Sequence, residues 1–495
     1  MTPGFTITLR GGGQATVGLD EFFARAADIT DLVAKPHERI ALLRLLICVT
    51  QAALNGPADR SEWEECCDRI PESVREYLRQ WKASFELFGE GARFLQVPNL
   101  KPGKEDGEGN AATKLDLTLA TGNNATIFDN AGGSERSRTP AQLALALLTF
   151  QCLSPAGIIG AVKWSGREIP KCTGRHAPAA AASMLHCYLT GAMLLQTIHL
   201  NLLDREQASY SFGRDGWGKP VWELLVPSLA AKAEIHTATM TYLGRLVPLA
   251  RAIRLSEEGK EIILGNGLDY PIYPEFREAS ATLVERKDGL GVLSASLERS
   301  LWRQLPAITV RRRASKDAAS GPPTLSNLPE SKGAALWLGA LVTDKAKIED
   351  VVEATYNLPA GMFQDTGRQV YEAGVAFAEN WERAVGSSVK AYASALKLEP
   401  PPYDKARRHF WTAIEQHVPT LLALTETPAL AADFAATPWG KAVRAAAKEA
   451  YEFACPRQTP RQIEAFAKGR QQLFLRTASP KKDGEGPKAK RTRKP

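Results

Sequence analysis

Apolar residues recur at three- and four-residue spacing in several stretches of this chain, and most of these stretches carry their own start or stop signals. Thr139 precedes Pro140, a hydroxyl cap followed by a residue preset for the first helical turn. Leu143, Leu147 and Phe150 then fall on one face before Ser154-Pro155 closes the helix. A helix from Pro36 carries Ile40, Leu43, Leu46, Ile47 and Thr50 on one face, and Trp63 to Trp81 reads as helical with a break at Pro71. The C-terminal part repeats the period over the longest span, through Val370, Phe377, Trp381, Val385, Val389, Tyr392 and Leu396. Ala406 to Leu424 adds a helix interrupted at Pro419, and Thr437-Pro438 and Thr459-Pro460 start two more, ending near Phe453 and Leu475. These helices predict a four-helix bundle over 366–478.

The rest is mixed. Phe5 to Leu9, Ile262 to Leu264, Tyr270 to Tyr273 and Ala281 to Val284 read as strands, and Ser211 to Val226 as irregular sheet or loop. Ala177 to Leu203 lacks Asp, Glu, Lys and Arg, but His186, Gln196, His199 and Asn201 interrupt it, which predicts a buried helix or helix pair rather than a membrane span. From Ala334 the pattern again reads as helical, through Leu341, Ile348 and Val352 to a stop at Leu358-Pro359, followed by an exposed turn at Met362-Phe363-Gln364-Asp365. The expected fold class is α+β and helix-rich: a large mixed α/β domain over 1–365, the bundle, and a disordered basic tail over 479–495.

Charge changes this picture only locally. The chain has 495 residues and a net charge of +7. Beyond Ser479 seven basic residues face two acidic ones, so the remainder is nearly neutral and does not mark a general nucleic-acid binder. Two local patches do suit phosphate: Lys163, Arg167, Lys171 and Arg175, opposed only by Glu168 and accompanied by Trp164, and the triple Arg311, Arg312, Arg313. A solvated loop has the same composition as the first patch. The seven cysteines include no CxxC pair, and no secretory leader is read, which predicts reduced thiols in a cytoplasmic protein without a metal centre or cofactor.

Candidate chemistry is sparse. HExxH, GxSxG and Walker A patterns are absent. His186-Cys187 sits in the apolar run and reads as core, His409 reads as packing or surface, and Asp129 has no evident partner carboxylate for a two-metal site. Two loops braced by the Pro140 helix stand out instead: the polar stretch Thr121 to Thr139, and Ala156-Gly157-Ile158-Ile159-Gly160, open to close backbone approach. The pattern favours a binding subunit over a catalyst. A free-standing metal-dependent nucleic-acid processing enzyme using Asp129, and a structural interaction protein built on the bundle, are the alternatives.

Several stretches, in order, carry a resemblance: Arg39 to Cys48 with Trp63 following, Tyr77 to Trp81 leading to Phe85-Glu86-Leu87-Phe88 and Phe94-Leu95-Gln96, Ile127-Phe128-Asp129-Asn130, the turn at Gly157 to Gly160, and Ala406 to Trp411. Together they resemble the CasA-type large subunit of type I-E CRISPR Cascade complexes, which act in antiviral defence. The resemblance implies a non-enzymatic subunit that recognises the PAM in double-stranded target DNA from the minor groove and starts unwinding for pairing with the guide RNA. Its partners would be the other Cascade subunits, the guide RNA, the target duplex and a helicase–nuclease recruited after the R-loop forms. Residue by residue, it implies a glycine loop at Ala156, Gly157, Ile158, Ile159 and Gly160, a groove-contacting lysine at Lys260, a wedge at Phe363 and Gln364, and a docking loop near the 5′ end of the guide with Phe128 and Asn130. Minor-groove readout is degenerate, so a backbone loop plus a cation suits loose motif recognition. Ile158 and Ile159 add bulk where the family pattern is more glycine-rich.

Overall fold

The computed structural model describes residues 4–103, 109–119, 138–311, 318–329 and 331–475, and the basic tail lies outside them. The chain divides into two compact units, Met1–Phe363 and Gln364–Pro495.

The first unit is built around the Pro36–Leu54 helix. The sequence assigns it one apolar face, yet every residue from Ile40 to Gln51 is buried. Helices and strands of the unit pack around it on all sides, so its internal polar groups must find partners within the core. Arg44 reaches Glu278, Gln51 donates to the Leu203 carbonyl at 2.6 Å, and the Tyr242 hydroxyl bonds the Gln51 amide. Small antiparallel sheets surround this helix. Gly4–Leu9 runs between Gln14–Gly18 and Ile29–Leu32, and Glu261–Asn266 runs between Arg251–Leu255 and Asn110–Ala111. The Pro140–Leu153 helix forms as read, with the Thr139 hydroxyl accepting from the Gln142 amide at 3.2 Å.

Three expectations are corrected. Ala334–Asp344 and Lys347–Leu358 are not helical but form one long antiparallel hairpin, joined on its inner edge by His186–Thr190. Leu336 to Val342 is buried without interruption, so the apolar run has no strand-like alternation to betray it; the β-branched Val351, Val352 and Thr355 were the available signal. Ala177 to Leu203 is not a helix pair but a 3₁₀ turn, the His186–Thr190 strand and one helix, Leu194–Leu200. His186 does belong to the core, bonded to Ser280 Oγ at 2.7 Å and the Ala179 carbonyl at 2.8 Å. Ser211 to Val226 contains no strand: its loop reading holds over 213–220, between the end of the Arg205–Phe212 helix and the short Val221–Leu224 helix. Tyr270 to Tyr273 is irregular, whereas Leu283–Arg286 is a strand.

The second unit holds five α-helices among its described residues: Asp365–Leu396, Tyr403–Glu415, Val418–Leu424, Pro438–Ala454 and Pro460–Leu475. The helix expected over 406–424 is divided just before Pro419, and both Thr-Pro starts appear with their caps, Thr437 accepting from Gly440 and Thr459 from Gln462. Close packing is visible where Trp439 Nε1 donates to the Gly374 carbonyl at 3.0 Å, and His409 stacks on Phe453 with ring centres 4.5 Å apart. No helix among the described residues is long and apolar enough to cross a membrane.

Candidate nucleic-acid interface

The stretch after the Pro140–Leu153 helix is a β-arm rather than an open loop. Gly157–Ile159 pairs with Cys172–Gly174, and Val162–Trp164 pairs with Arg167–Ile169 on one side and Leu100–Pro102 on the other. The tip is the two-residue turn Ser165-Gly166, with φ of 47° and 82°, the double left-handed turn that matches strand twist. Alternation along the first strand divides the two isoleucines: Ile159 points inward at 8% exposure, whereas Ile158 points out at 69% and keeps its bulk on the outer face.

Gly157 and Gly160 are not required by the fold. A Cβ on Gly157 would come no closer than 4.0 Å to Ala346, and one on Gly160 no closer than 3.8 Å to the Leu264 carbonyl, and neither residue has a left-handed φ. Gly174, in the paired strand, is different: a Cβ there would meet Asn266 Oδ1 at 2.5 Å. Two glycines that no internal contact explains, on an outward edge, leave the main chain accessible to something outside.

Beside Gly157 stands the tip of the long hairpin. Asp344 pairs with Lys347, leaving Lys345-Ala346 as a two-residue connection with both lysines exposed. His176 holds the tip: its Nε2 donates to the Lys345 carbonyl at 2.8 Å. A carbonyl only accepts, so that bond fixes the Nε2–H tautomer, and burial lowers the ring's pKa and favours the neutral form. Neither lysine was found from the sequence, because both lay inside a run read as helix.

The base of the arm is closed by Arg251, which is 3% exposed. Its guanidinium donates to the carbonyls of Pro155 (2.9 Å), Arg175 (2.6 Å) and Ala250 (2.9 Å), joining the chain just before the arm to the chain just after it. Burial without a carboxylate lowers its pKa to about 10. Arg251→Met, close in volume, would orphan these carbonyls, so it should destabilise the arm by about 1–3 kcal/mol. Limited trypsinolysis should then cut at Lys163, Arg167 or Lys171 before the rest of the unit unfolds; an unchanged digestion pattern would show that Arg251 is not the clasp.

The remaining predicted residues scatter. Arg167, Lys171 and Arg175 are exposed on the arm, with Arg175 in a solvent-facing pair with Asp269 at 3.3 Å, an arrangement worth little. Lys163 is half-buried opposite Glu168. Lys260 is exposed in the turn before Glu261–Asn266, four residues back from the Leu264 that adjoins Gly160, roughly 13 Å by strand rise. The structure therefore does not bring it to the glycines. Arg311 is half-buried and spends donors on the fold, on the Leu328 and Pro329 carbonyls, and lies over the Phe363 ring. Met362 and Phe363 are buried rather than exposed, at 0% and 5%, and only Gln364 of the expected wedge faces solvent, as the N-cap residue of Asp365–Leu396. Phe128, Asp129, Asn130, Arg312 and Arg313 lie outside the described residues.

With this geometry in place, the comparisons with known proteins are specific. Residues 6–450 match the family described as CRISPR-associated protein Cse1. The chain belongs to the Cse1 family. A curated Cse1 relative, CRISPR-associated protein CasA/Cse1 of Thermus thermophilus, is 29% identical over 94% of each chain. The Cse1 fold is shared with the crystal structure of Thermus thermophilus CasA at a TM-score of 0.74 and 23% identity, covering 96% of this chain and 98% of that one. A chain of a structure described as a CRISPR RNA-guided surveillance complex has the same fold at a TM-score of 0.72 and 18% identity, with 96% and 98% covered.

Proposed function

We propose that this Cse1-family chain is the large subunit of a cytoplasmic CRISPR surveillance complex and recognises a short motif, the PAM, in the minor groove of duplex DNA. One observation carries the reading: Gly157, half-buried, and Gly160, exposed, have no internal reason to be glycine, and Gly157 adjoins the lysine-bearing tip of the long hairpin. A minor groove admits backbone where side chains are absent, and cations beside it neutralise the flanking phosphates. Lys345 and Lys347 supply that charge better than Lys260, which stands away from the glycines. Gln364 remains the proposed wedge residue that starts unwinding, and the guide RNA reads the long target sequence. The other Cascade subunits hold the chain in the complex, with the Phe128–Asn130 loop docked near the 5′ end of the guide. The helical unit retains the displaced strand and offers a platform to the helicase–nuclease. No step requires catalysis by this chain.

One comparison in the assembled complex tests both elements. Lys345→Ala combined with Lys347→Ala should weaken binding of PAM-bearing duplex about tenfold and reduce the slope of log affinity against log salt by about two. Gln364→Ala should slow duplex unwinding, read by 2-aminopurine fluorescence beside the PAM, while binding of single-stranded target is unchanged. Equal loss on both substrates would remove Gln364 from the wedge role, and an unchanged salt slope would remove the hairpin tip from the interface.

A further inference from the structure

A recess of about 320 Å³ lies beneath the Ser165-Gly166 turn of the arm, at the lower end of the range for small-ligand sites. Its walls are largely apolar, with Trp222, the Leu225 to Pro227 segment, Pro98 and Leu249. Ser165 donates to the Pro227 carbonyl at 2.7 Å, so the arm tip is fastened to this wall.

The backbone around it is unusual. Leu95, Asn99, Ser165 and Leu225 line the recess with φ of 50°, 57°, 47° and 45°, four of the nine left-handed non-glycine residues described in the whole chain. The hairpin turn accounts for Ser165; the other three lie outside it, and non-glycine residues in this conformation concentrate where a ligand is held.

The charge is also unusual. Arg93 lines the recess and donates to the Ala92 carbonyl at 3.0 Å, while its buried Nε has no hydrogen-bond partner. Gly89, at φ 115°, leaves the space its guanidinium occupies; a Cβ there would sit 2.7 Å from Nη2. Arg254 grips the same turn from the other side, donating to the Gly89 and Gly91 carbonyls at 2.7 and 3.0 Å. Neither arginine has a carboxylate within ion-pair distance among the described residues. Burial first, and then Arg93, lower the pKa of Arg254, as uncompensated positive charge requires.

We propose that this recess takes one unpaired nucleotide, with its base against Trp222 and the Leu225–Pro227 wall and its phosphate at Arg93. An apolar slot with a tryptophan wall accepts the flat face of any base, the Asn99 amide offers both a donor and an acceptor to a base edge, and the Arg93 guanidinium answers the phosphate, with Arg254 adding positive charge behind it. The inference rests on the nucleic-acid reading above but concerns a different place and a single strand.

The test uses the full chain and labelled five-nucleotide strands, in DNA and RNA form, each with a matched strand carrying a central abasic residue. Fluorescence anisotropy should show the abasic strand binding about tenfold more weakly, the scale of one stacked base. Arg93→Gln should weaken the complete strand about tenfold and erase its advantage over the abasic one, without changing the duplex binding that Lys345 and Lys347 govern. Leu225→Glu, at a position 48% exposed and so tolerant of change, should do the same by setting a carboxylate at the mouth. A 5-iodouracil strand should photocrosslink to the peptide containing Trp222. A preference for RNA would identify the guide as the source of the nucleotide, and one for DNA the displaced strand. Equal binding of complete and abasic strands would overturn the proposal. So would Arg93→Gln loosening attachment to the other subunits while strand binding persists, because the recess would then receive a protein side chain.

Discussion

Replacing Glu278 by alanine should lower the unfolding free energy of the first unit by about 3–5 kcal/mol, the scale of a buried ion pair that loses one partner. Glu278 is 6% exposed, and it stands between Arg44 and Arg245, each 1% exposed. Oε2 accepts from Arg44 at 2.9 Å, and Oε1 accepts twice from Arg245, at 2.6 and 2.8 Å. Arg44 also donates to the carbonyls of Arg245 and Leu246, so the cluster ties the central helix to the Tyr242–Leu246 segment. Without the carboxylate, two buried guanidiniums face each other uncompensated. Urea unfolding should show a lower midpoint in the transition of this unit with an unchanged slope; a loss below about 1 kcal/mol would mean that water or a rearrangement replaces the carboxylate.

The same cluster sets an acid limit. Burial alone would push the Glu278 carboxyl up, but Arg245 and then Arg44 hold it down at about 2. In the unfolded chain it titrates near 4.3. The folded form therefore binds fewer protons between these values, so the stabilisation is complete above about pH 4.3 and drains away as pH falls toward 2. The stability gap between wild type and Glu278→Ala should close over that window and stay constant above it.

Gly160→Asp should reduce affinity for PAM-bearing duplex a hundredfold or more while leaving thermal stability within about 1 °C. The fold has room for a side chain at this position, as the 3.8 Å to the nearest atom shows, so the loss would belong to the interface. A carboxylate set against phosphates costs several kcal/mol, and about 2.8 kcal/mol is already a hundredfold. Gly160→Ala separates bulk from charge, with an intermediate loss expected if the groove approaches the backbone closely. A Gly160→Asp chain that is stable and binds duplex at the wild-type level would remove the arm from DNA recognition.

The helices were legible because their signals are local. Thr139-Pro140, Thr437-Pro438 and Thr459-Pro460 each combine an oxygen cap with a residue that suits the first turn, and all three start helices in the structure. The long hairpin was not legible: Leu336 to Val342 is buried on both sides, which removes the alternation on which strand reading depends. That miss concealed Lys345 and Lys347. The glycines at 157 and 160 were visible as letters, but that nothing inside the protein needs them could be learned only from the space around each Cα. Arg251 and Arg93 were invisible for another reason, since their roles depend on carbonyls and loops far away in the chain.

Arg251 carries one more consequence. A single side chain gathers the carbonyls before and after the arm, so the segment from 157 to 174 is anchored at its root; Leu100–Pro102 holds it again along its side and Ser165 at its tip, and Ile159, Val162, Trp164 and Ile169 reach the core. A surface segment with a defined root and a few fixed contacts tolerates changes of sequence at its other, solvent-facing positions. Arms from other Cse1-family members, cut at the same root and keeping those four inward positions apolar, should transplant as cassettes, which would make motif preference a property that can be moved between proteins without rebuilding the domain that carries it.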